Sequence, residues 1–204
     1  MTEDDAKAWI AAQFGDEAVT KMAAFLEMVV AEAPHQNLIA PSTIESIWAR
    51  HAVDSLQLIP FGREDAKSWI DIGTGGGFPG LAVAIVAPVR MVLVEPRRRR
   101  ADFLGLCIAR LGLGDRVSVE AKKIESVVAT ADIISARAVA SVENLLRAAA
   151  HCGTTMSRWL LPRGRLDEDE LAALQKHWRF MFHVEQSVTN AESSIVVLDK
   201  VSAR

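Results

Sequence analysis

Apolar positions recur along this chain in two different rhythms. Ala18, Met22, Phe25, Leu26, Val29 and Val30 return at helical spacing, and Pro34 ends the helix they predict. Pro41-Ser42-Thr43 then offers an N-cap, with Glu45 as its capping partner. A second helix is predicted through Ile47, Trp48, His51, Ala52, Ser55 and Leu56, stopping before Pro60. From Lys67 the rhythm changes. Ser68–Ile72 is a short apolar strand running into a glycine-rich turn, and Pro79–Ala87 is a helix with proline in its first turn. Strands over Met91–Glu95, Arg116–Glu120, Asp132–Ala136 and Arg158–Leu161 alternate with helices over Arg98–Leu111, Val142–His151 and Leu166–His177. Phe180–Val188 and Ser194–Val201 close the chain as a hairpin around Asn190.

Alternating strand and helix means parallel βαβ units in a doubly wound α/β sheet, with the hairpin adding an antiparallel strand at or near one edge. The expected division is a helical N-terminal extension over residues 1–66, packing on a core domain over residues 67–204. Half of the 204 residues are hydrophobic and 24% are charged, an ordinary globular balance that argues against disorder. The least charged stretch, Ile72 to Val89, is broken by five glycines and two prolines, which makes it a poor membrane span. The acidic start Thr2-Glu3-Asp4-Asp5 is unlike a signal peptide, so a cytoplasmic protein is expected. Cys107 and Cys152 lie 45 residues apart and offer neither zinc spacing nor a redox pair; both are expected as buried thiols. The five histidines show no metal-ligand spacing, so no metal site is expected.

The net charge of −3 conceals a pattern: residues 90–165 hold fourteen basic and seven acidic residues, while the rest of the chain is acidic. Arginine outnumbers lysine sixteen to seven. Arginine's planar fork suits phosphate and base contacts, so a basic middle segment fits a local nucleic-acid face; a compositional bias toward arginine is the alternative. Arg97, Arg98, Arg99 and Arg100 open a helix, where four cations oppose the macrodipole. Contact with RNA phosphates explains them; so does a solvated turn pairing with Glu95 and Asp102.

The glycine turn, Asp71-Ile72-Gly73-Thr74-Gly75-Gly76-Gly77-Phe78-Pro79-Gly80, sits between a strand and a helix, where doubly wound sheets bind ligands. No Gly-Lys-Ser/Thr follows, which excludes a phosphate-binding P-loop. A dinucleotide frame fits only from Gly75, two residues late. Acid-x-Gly-x-Gly at the end of the first strand resembles motif I of class I S-adenosylmethionine (AdoMet) methyltransferases. Glu95 ends the second strand, where a carboxylate accepts from both hydroxyls of a ribose, in NAD or in AdoMet alike.

Longer strings match one family in order: Asn37-Leu38, Arg50-His51-x-x-Asp54-Ser55, the glycine turn through Gly77-Phe78-Pro79-Gly80, and Ser135-Ala136-Arg137-Ala138. Together they resemble the RsmG (GidB) family of bacterial small-subunit ribosomal RNA methyltransferases, over nearly the whole chain. The resemblance implies a class I AdoMet-dependent methyltransferase: a Rossmann-like, doubly wound, mostly parallel seven-stranded sheet with a helical N-terminal extension. It implies methyl transfer to N7 of guanine 527 in 16S rRNA, in the small subunit or an assembly intermediate, with S-adenosylhomocysteine as product. It puts Gly73, Gly75, Phe78, Glu95, Ile124, Glu125 and Arg137 at the AdoMet site, with Ile124 and Glu125 bracketing the adenine. Members often carry lysine after the fifth strand, where this chain has Arg163 in Pro162-Arg163-Gly164: charge is kept, lysine's reach is not. Arg97 to Arg100 and Arg163 are the candidate RNA contacts.

The chemistry is compatible. Guanine N7 keeps an in-plane lone pair, so direct displacement needs alignment more than a base. The Asn/Asp-Pro-Pro-aromatic signature of many exocyclic-amine methyltransferases is missing, and Ser135-Ala136-Arg137-Ala138 stands there instead. Arg137 is expected to orient cofactor or substrate, or to sit in a strand-end salt bridge. His51 and Asp54 share a helical face and are expected to fasten the N-terminal helices over the cleft. The tryptophans are expected mostly in the core. Other readings remain: a methyltransferase of a small molecule or protein, a non-catalytic nucleotide-binding module, or a dinucleotide oxidoreductase.

Overall fold

The computed structural model describes residues 1–137, 141–164 and 172–204. Seven strands form one sheet in the order β3-β2-β1-β4-β5-β7-β6. They are β1 (Ser68–Ile72), β2 (Arg90–Val94), β3 (Val117–Glu120), β4 (Ile133–Ala136), β5 (Arg158–Arg163), β6 (Trp178–Gln186) and β7 (Ser194–Ala203). The first five are parallel, and β7 runs antiparallel between β5 and β6. The sheet is therefore the mostly parallel, doubly wound one that the alternation predicts. The strand order reverses between β1 and β4, the place where such sheets bind ligands.

β1 shows why the short apolar runs read as strands. Buried on both faces, it sends Trp69 and Asp71 to one side and Ile70 and Ile72 to the other. On the Trp69 side lie α1 (Glu3–Phe14), α2 (Asp16–Glu32), α4 (Gly80–Val86) and α5 (Arg98–Arg110), sharing one apolar cluster. On the Ile70 side Leu145, Leu146 and Ala149 of α6 (Val142–Ala149) pack with Ile124 and Val127. Trp69, Trp159 and Trp178 are buried, and so are both free cysteines. No helix among the described residues is long and apolar enough to cross a membrane.

The N-terminal segment departs from its predicted form. α1 was not singled out by its apolar spacing, because it buries only Ala6 and Ile10. It starts instead on a capping box, with Thr2 Oγ1 accepting from Asp5 N and Asp5 accepting from Thr2 N. The predicted second helix is three pieces: a 3-10 turn over Pro41–Ser46, a π-helical segment over Trp48–Val53 and one α turn, α3 (Asp54–Leu56). No side chain caps the 3-10 turn; Thr43 Oγ1 donates back to Ala40 O, and Glu45 takes no capping role. The cap comes from far away. Both Glu3 carboxylate oxygens accept backbone N–H groups at 3.0 Å, from Trp48 and Ala49, at the mouth of the π segment.

Smaller differences are at the ends. Pro79 precedes α4 rather than opening it, and β5 runs on to Arg163. Residues 166–171 of the predicted helix Leu166–His177 lie outside the described residues, and the described remainder is helical only over 172–174. Two side chains tie the sheet to its surroundings. Asp132 Oδ2 accepts from Lys67 N, Ser68 N and Ser68 Oγ, joining the starts of β1 and β4. Arg158 grips Asp199 of β7 with two bonds at 2.9 and 3.0 Å and reaches Phe61 O.

Two glycines separate packing from propensity. A Cβ on Gly80 would lie 2.5 Å from both Asp71 Cβ and Leu93 Cδ2, whereas one on Gly105, inside α5, meets nothing within 4 Å. Gly80→Ala is expected to lower the unfolding free energy by about 2–4 kcal/mol. Gly105→Ala is expected to raise it by about 0.5–1 kcal/mol. Urea denaturation of both variants beside the parent checks the pair.

Candidate active site

The site is built where the parallel strands end. Ile72, Val94 and Ala136 are register partners across β2-β1-β4, so the residues that follow them leave the sheet side by side. Those residues are Gly73, Glu95 and Arg137. Sheet register, rather than sequence proximity, brings these three together.

Asp71 anchors the glycine turn. Its carboxylate is fully buried and accepts from Gly80 N at 2.8 Å and from Ser135 Oγ at 2.6 Å. Ser135 Oγ in turn accepts from Trp69 Nε1 at 2.8 Å. Burial pushes the Asp71 carboxyl up to about 6, against the pull of these donors. The Thr74 hydroxyl beside it favours the charged form, although it lies outside hydrogen-bond geometry. Between Asp71 and Gly80 the chain must turn tightly. Gly73 and Gly75 adopt left-handed φ values of 68° and 58°, which other residues take at a cost.

Glu95 closes the turn from the other side. It is 3% exposed, and its oxygens accept from Gly75 N at 3.1 Å and Arg97 N at 2.9 Å. Each oxygen takes one backbone N–H, which leaves lone pairs for hydroxyl donors. A buried strand-end carboxylate held beside a glycine turn fits a ribose, and so fits the nucleoside half of AdoMet. Ile124 is buried in a 3-10 turn after β3, and Glu125 beside it is exposed. An apolar side chain and an adjacent exposed carboxylate suit the face and edge of an adenine.

Arg137 faces the N-terminal segment. Its Nη1 donates to Asp54 Oδ2 at 3.2 Å and to Arg50 O at 3.4 Å, and its Nη2 donates to His51 Nδ1 at 3.1 Å. Its guanidinium lies 5.5 Å from the ring centroid of Phe78, which also meets the His51 ring at 5.0 Å. The donor from Arg137 makes Nδ1 an acceptor, so Nε2 carries the proton and gives it to Thr43 Oγ1 at 2.8 Å. Thr43 is free to accept because its own proton goes to Ala40 O. Burial, with Arg137 and Arg50 close by, lowers the His51 pKa to about 3. His51 and Asp54 thus meet the end of β4 directly, through Arg137.

The candidate RNA contacts divide. Arg98 pairs with Asp102 at 2.9 Å. Arg100 donates to Asn37 O and lies 3.9 Å from Glu95 Oε2, so it is committed to the fold. Arg97 and Arg99 are exposed, with no hydrogen bond or ion pair to their guanidiniums among the described residues. Arg163 lies apart from all four, at the end of β5. It lines a cavity of about 530 Å³ together with Arg50, His51, Asp54, Arg137 and Asn190. The wall opposite Asp54 comes from the turn between β6 and β7. Thr189 Oγ1 donates to Asp54 Oδ1 at 2.9 Å, and Gln57 joins Asp54 Oδ1 to Ser187 Oγ and Val188 N. Gln57 and Thr189 were not legible as site residues, because each gains its place through contacts 130 and 135 residues away.

A doubly wound sheet with its last strand reversed, and a glycine turn facing a strand-end carboxylate, define the class I AdoMet-dependent methyltransferase fold. A SAM-dependent methyltransferase from Aquifex aeolicus shares it, with a TM-score of 0.59 at 14% identity over 78% of this chain and 97% of that one. Residues 18–196 match the family model GidB, rRNA small subunit methyltransferase G. The chain is 43% identical to ribosomal RNA small subunit methyltransferase G of Rhizorhabdus wittichii, over 100% of this chain and 95% of that protein. It is 47% identical to the protein of that name from Sphingopyxis alaskensis, over 96% of this chain and 85% of the relative. The chain belongs to this family of rRNA methyltransferases.

Two buried groups give stability opposite dependences on pH. Asp71, raised to about 6, contributes stability that is full below about 3.8 and lost as pH rises through 6. His51, lowered to about 3, contributes stability that is full above about 6.5 and lost as pH falls toward 3. Between pH 6.5 and 4.5 the His51 loss amounts to about 2–3 kcal/mol, partly offset by Asp71. His51→Gln should therefore lose less stability than the parent on acidification, and Asp71→Asn should lose more. Denaturant midpoints at a series of pH values read both slopes.

Proposed function

We propose that this protein transfers a methyl group from AdoMet to N7 of guanine 527 in 16S rRNA, within the small subunit or an assembly intermediate. The observation that carries the reading is the edge formed by Gly73, Glu95 and Arg137, which meets a cavity through Arg137. AdoMet supplies an electrophilic methyl group on a sulfonium and leaves as S-adenosylhomocysteine. Glu95 would accept from its ribose, and Ile124 and Glu125 would bracket its adenine. Gly73 and Gly75 would offer backbone at close approach, while Phe78 would wall the turn and keep Arg137 in line. N7 has a lone pair in the plane of the base and no proton to lose, so the chain's task is to align two reactants. His51 fits this demand: with both ring nitrogens engaged and a pKa near 3, it is no general base at neutral pH. Arg97 and Arg99 would meet rRNA phosphates.

Labelled methyl transfer from AdoMet to 30S subunits of a strain deleted for this protein is expected to yield 7-methylguanine at one site. Label at another atom or in several bases would refute the assignment. Arg97→Ala combined with Arg99→Ala is expected to leave the melting temperature within a degree or two. The double variant should flatten the slope of log binding constant against log salt by about 1.5–2, read by filter binding to 30S particles. An unchanged slope would remove these arginines from the interface.

A further inference from the structure

We infer that the cavity between the N-terminal segment, the ends of β4 and β5 and the β6–β7 turn receives the target nucleotide, and that Asp54 selects guanine there. This rests on the rRNA methylation proposed above, and adds where the base lies and what reads it. A transfer between two substrates needs two compartments that meet. Gly73, Gly75 and Glu95 belong to the first and do not line the cavity; Arg137 touches both. Phe78 is the partition, with His51 against its ring on the cavity side. At about 530 Å³ the cavity is the size of a small-ligand site and admits one nucleotide turned out of its stack.

The lining specifies the chemistry. Arg50, Arg137 and Arg163 line the cavity with Asp54, the one carboxylate among its described lining residues. Arg50 is exposed, and no hydrogen bond or ion pair holds its guanidinium among the described residues, as suits a phosphate at the mouth. Deeper in, a carboxylate only accepts. Guanine is the one standard base with two adjacent donors on one edge, N1–H and the 2-amino group, and a carboxylate takes both. Its N7 lies on the opposite edge, so a guanine held this way keeps the methyl-accepting atom unbound. Asp54 can make room. Oδ2 takes one bond, from Arg137. Oδ1 takes Gln57 and Thr189; on yielding, the Thr189 hydroxyl keeps the bond that Ser187 Oγ donates to it at 2.9 Å and turns its own proton into the cavity it lines.

Inosine tests the idea, because it keeps N7 and N1–H and lacks only the 2-amino group. Particles of the 30S subunit reconstituted with guanosine or inosine at the acceptor position would be methylated by the parent and by Asp54→Asn. The parent is expected to favour guanosine by about tenfold or more in kcat/KM, the loss of one hydrogen bond to a charged group. Asp54→Asn is expected to shrink that preference to about threefold or less, whatever its overall rate. A purely structural Asp54 would slow both substrates by one factor and keep the preference, which overturns the assignment; so does a parent with no preference. No label even in guanosine particles would instead sink the underlying reaction. If Asp54→Asn does not fold, 6-thioguanosine at the acceptor position of particles bound to the parent decides the matter. Photocrosslinks are expected in peptides covering residues 50–57 or 187–195, and crosslinks confined to other peptides overturn it.

Discussion

A buried carboxylate that cannot move sets the geometry of this protein. Asp71 lies at the end of the central strand, takes a backbone N–H from the first turn of α4 and a hydroxyl from β4, and so pins three elements to one point. Its pKa of about 6 shows that burial works against the charge more strongly than the donors favour it. The group is therefore held by its surroundings and is no source of net stability at neutral pH. What it fixes is shape. With Gly80 tied back to Asp71, the intervening residues must reverse within one short turn, and the left-handed glycines follow from that closure. The contact that ties Gly80 down also forbids a side chain there, since a Cβ would collide with Asp71 itself.

Arg137 does for the N-terminal segment what Asp71 does for the sheet. Three of its bonds cross 83 to 87 residues of sequence. The π-helical segment makes this possible: its widened turn brings His51 and Asp54 to one guanidinium, while Glu3 holds its first N–H groups. The contacts spread outward, from Arg137 to Asp54, and from Asp54 to Thr189 and Gln57 in and beneath the β6–β7 turn. Charge and hydrogen bonding, beside the apolar cluster that holds Leu56, Ile133 and Ile195, thus join the N-terminal segment, the end of β4 and the C-terminal hairpin. His51 and Gln57 are buried and Arg137 and Asp54 half-buried, so loss of Arg137 would leave the Asp54 charge uncompensated.

This division explains what could be read in advance. β1 was legible to the residue because a strand buried on both faces writes itself as an apolar run, and Asp71 through Gly80 was legible because glycine has few other reasons to cluster. Gly73, Glu95 and Arg137 could be named separately, but their alignment depends on register, which no local pattern encodes. α1 escaped because it buries two residues and offers little periodicity, although Thr2 and Asp5 carried its capping signal. Pro41 to Leu56 was misread as a capped helix because 3-10, α and π turns share apolar spacing over so short a stretch. The difference rests on Glu3, more than forty residues earlier. Arg97 to Arg100 looked like one basic cluster, yet Arg100 is turned inward to Asn37 and Glu95 while Arg97 and Arg99 face solvent. Arg97 is the extended N-cap and the other three open α5, where successive side chains turn about the axis, so a run of identical residues need not be one surface.

The state of His51 ties these strands to the proposed chemistry. An imidazole at an active site suggests proton transfer, but this one donates through Nε2, accepts through Nδ1 and lies between two arginines and an aromatic face. At neutral pH a ring with a pKa near 3 is protonated in about one molecule in ten thousand, and its basic nitrogen is already occupied. A reaction that had to remove a proton would find little help there. A nucleophile that already owns its lone pair needs none, and an arginine whose position is fixed by a neutral histidine is more useful to it than a base. On the proposed reading a neutral His51 would add no further positive charge beside these arginines where a cationic donor approaches, and the site's contribution would reduce to holding two substrates in line.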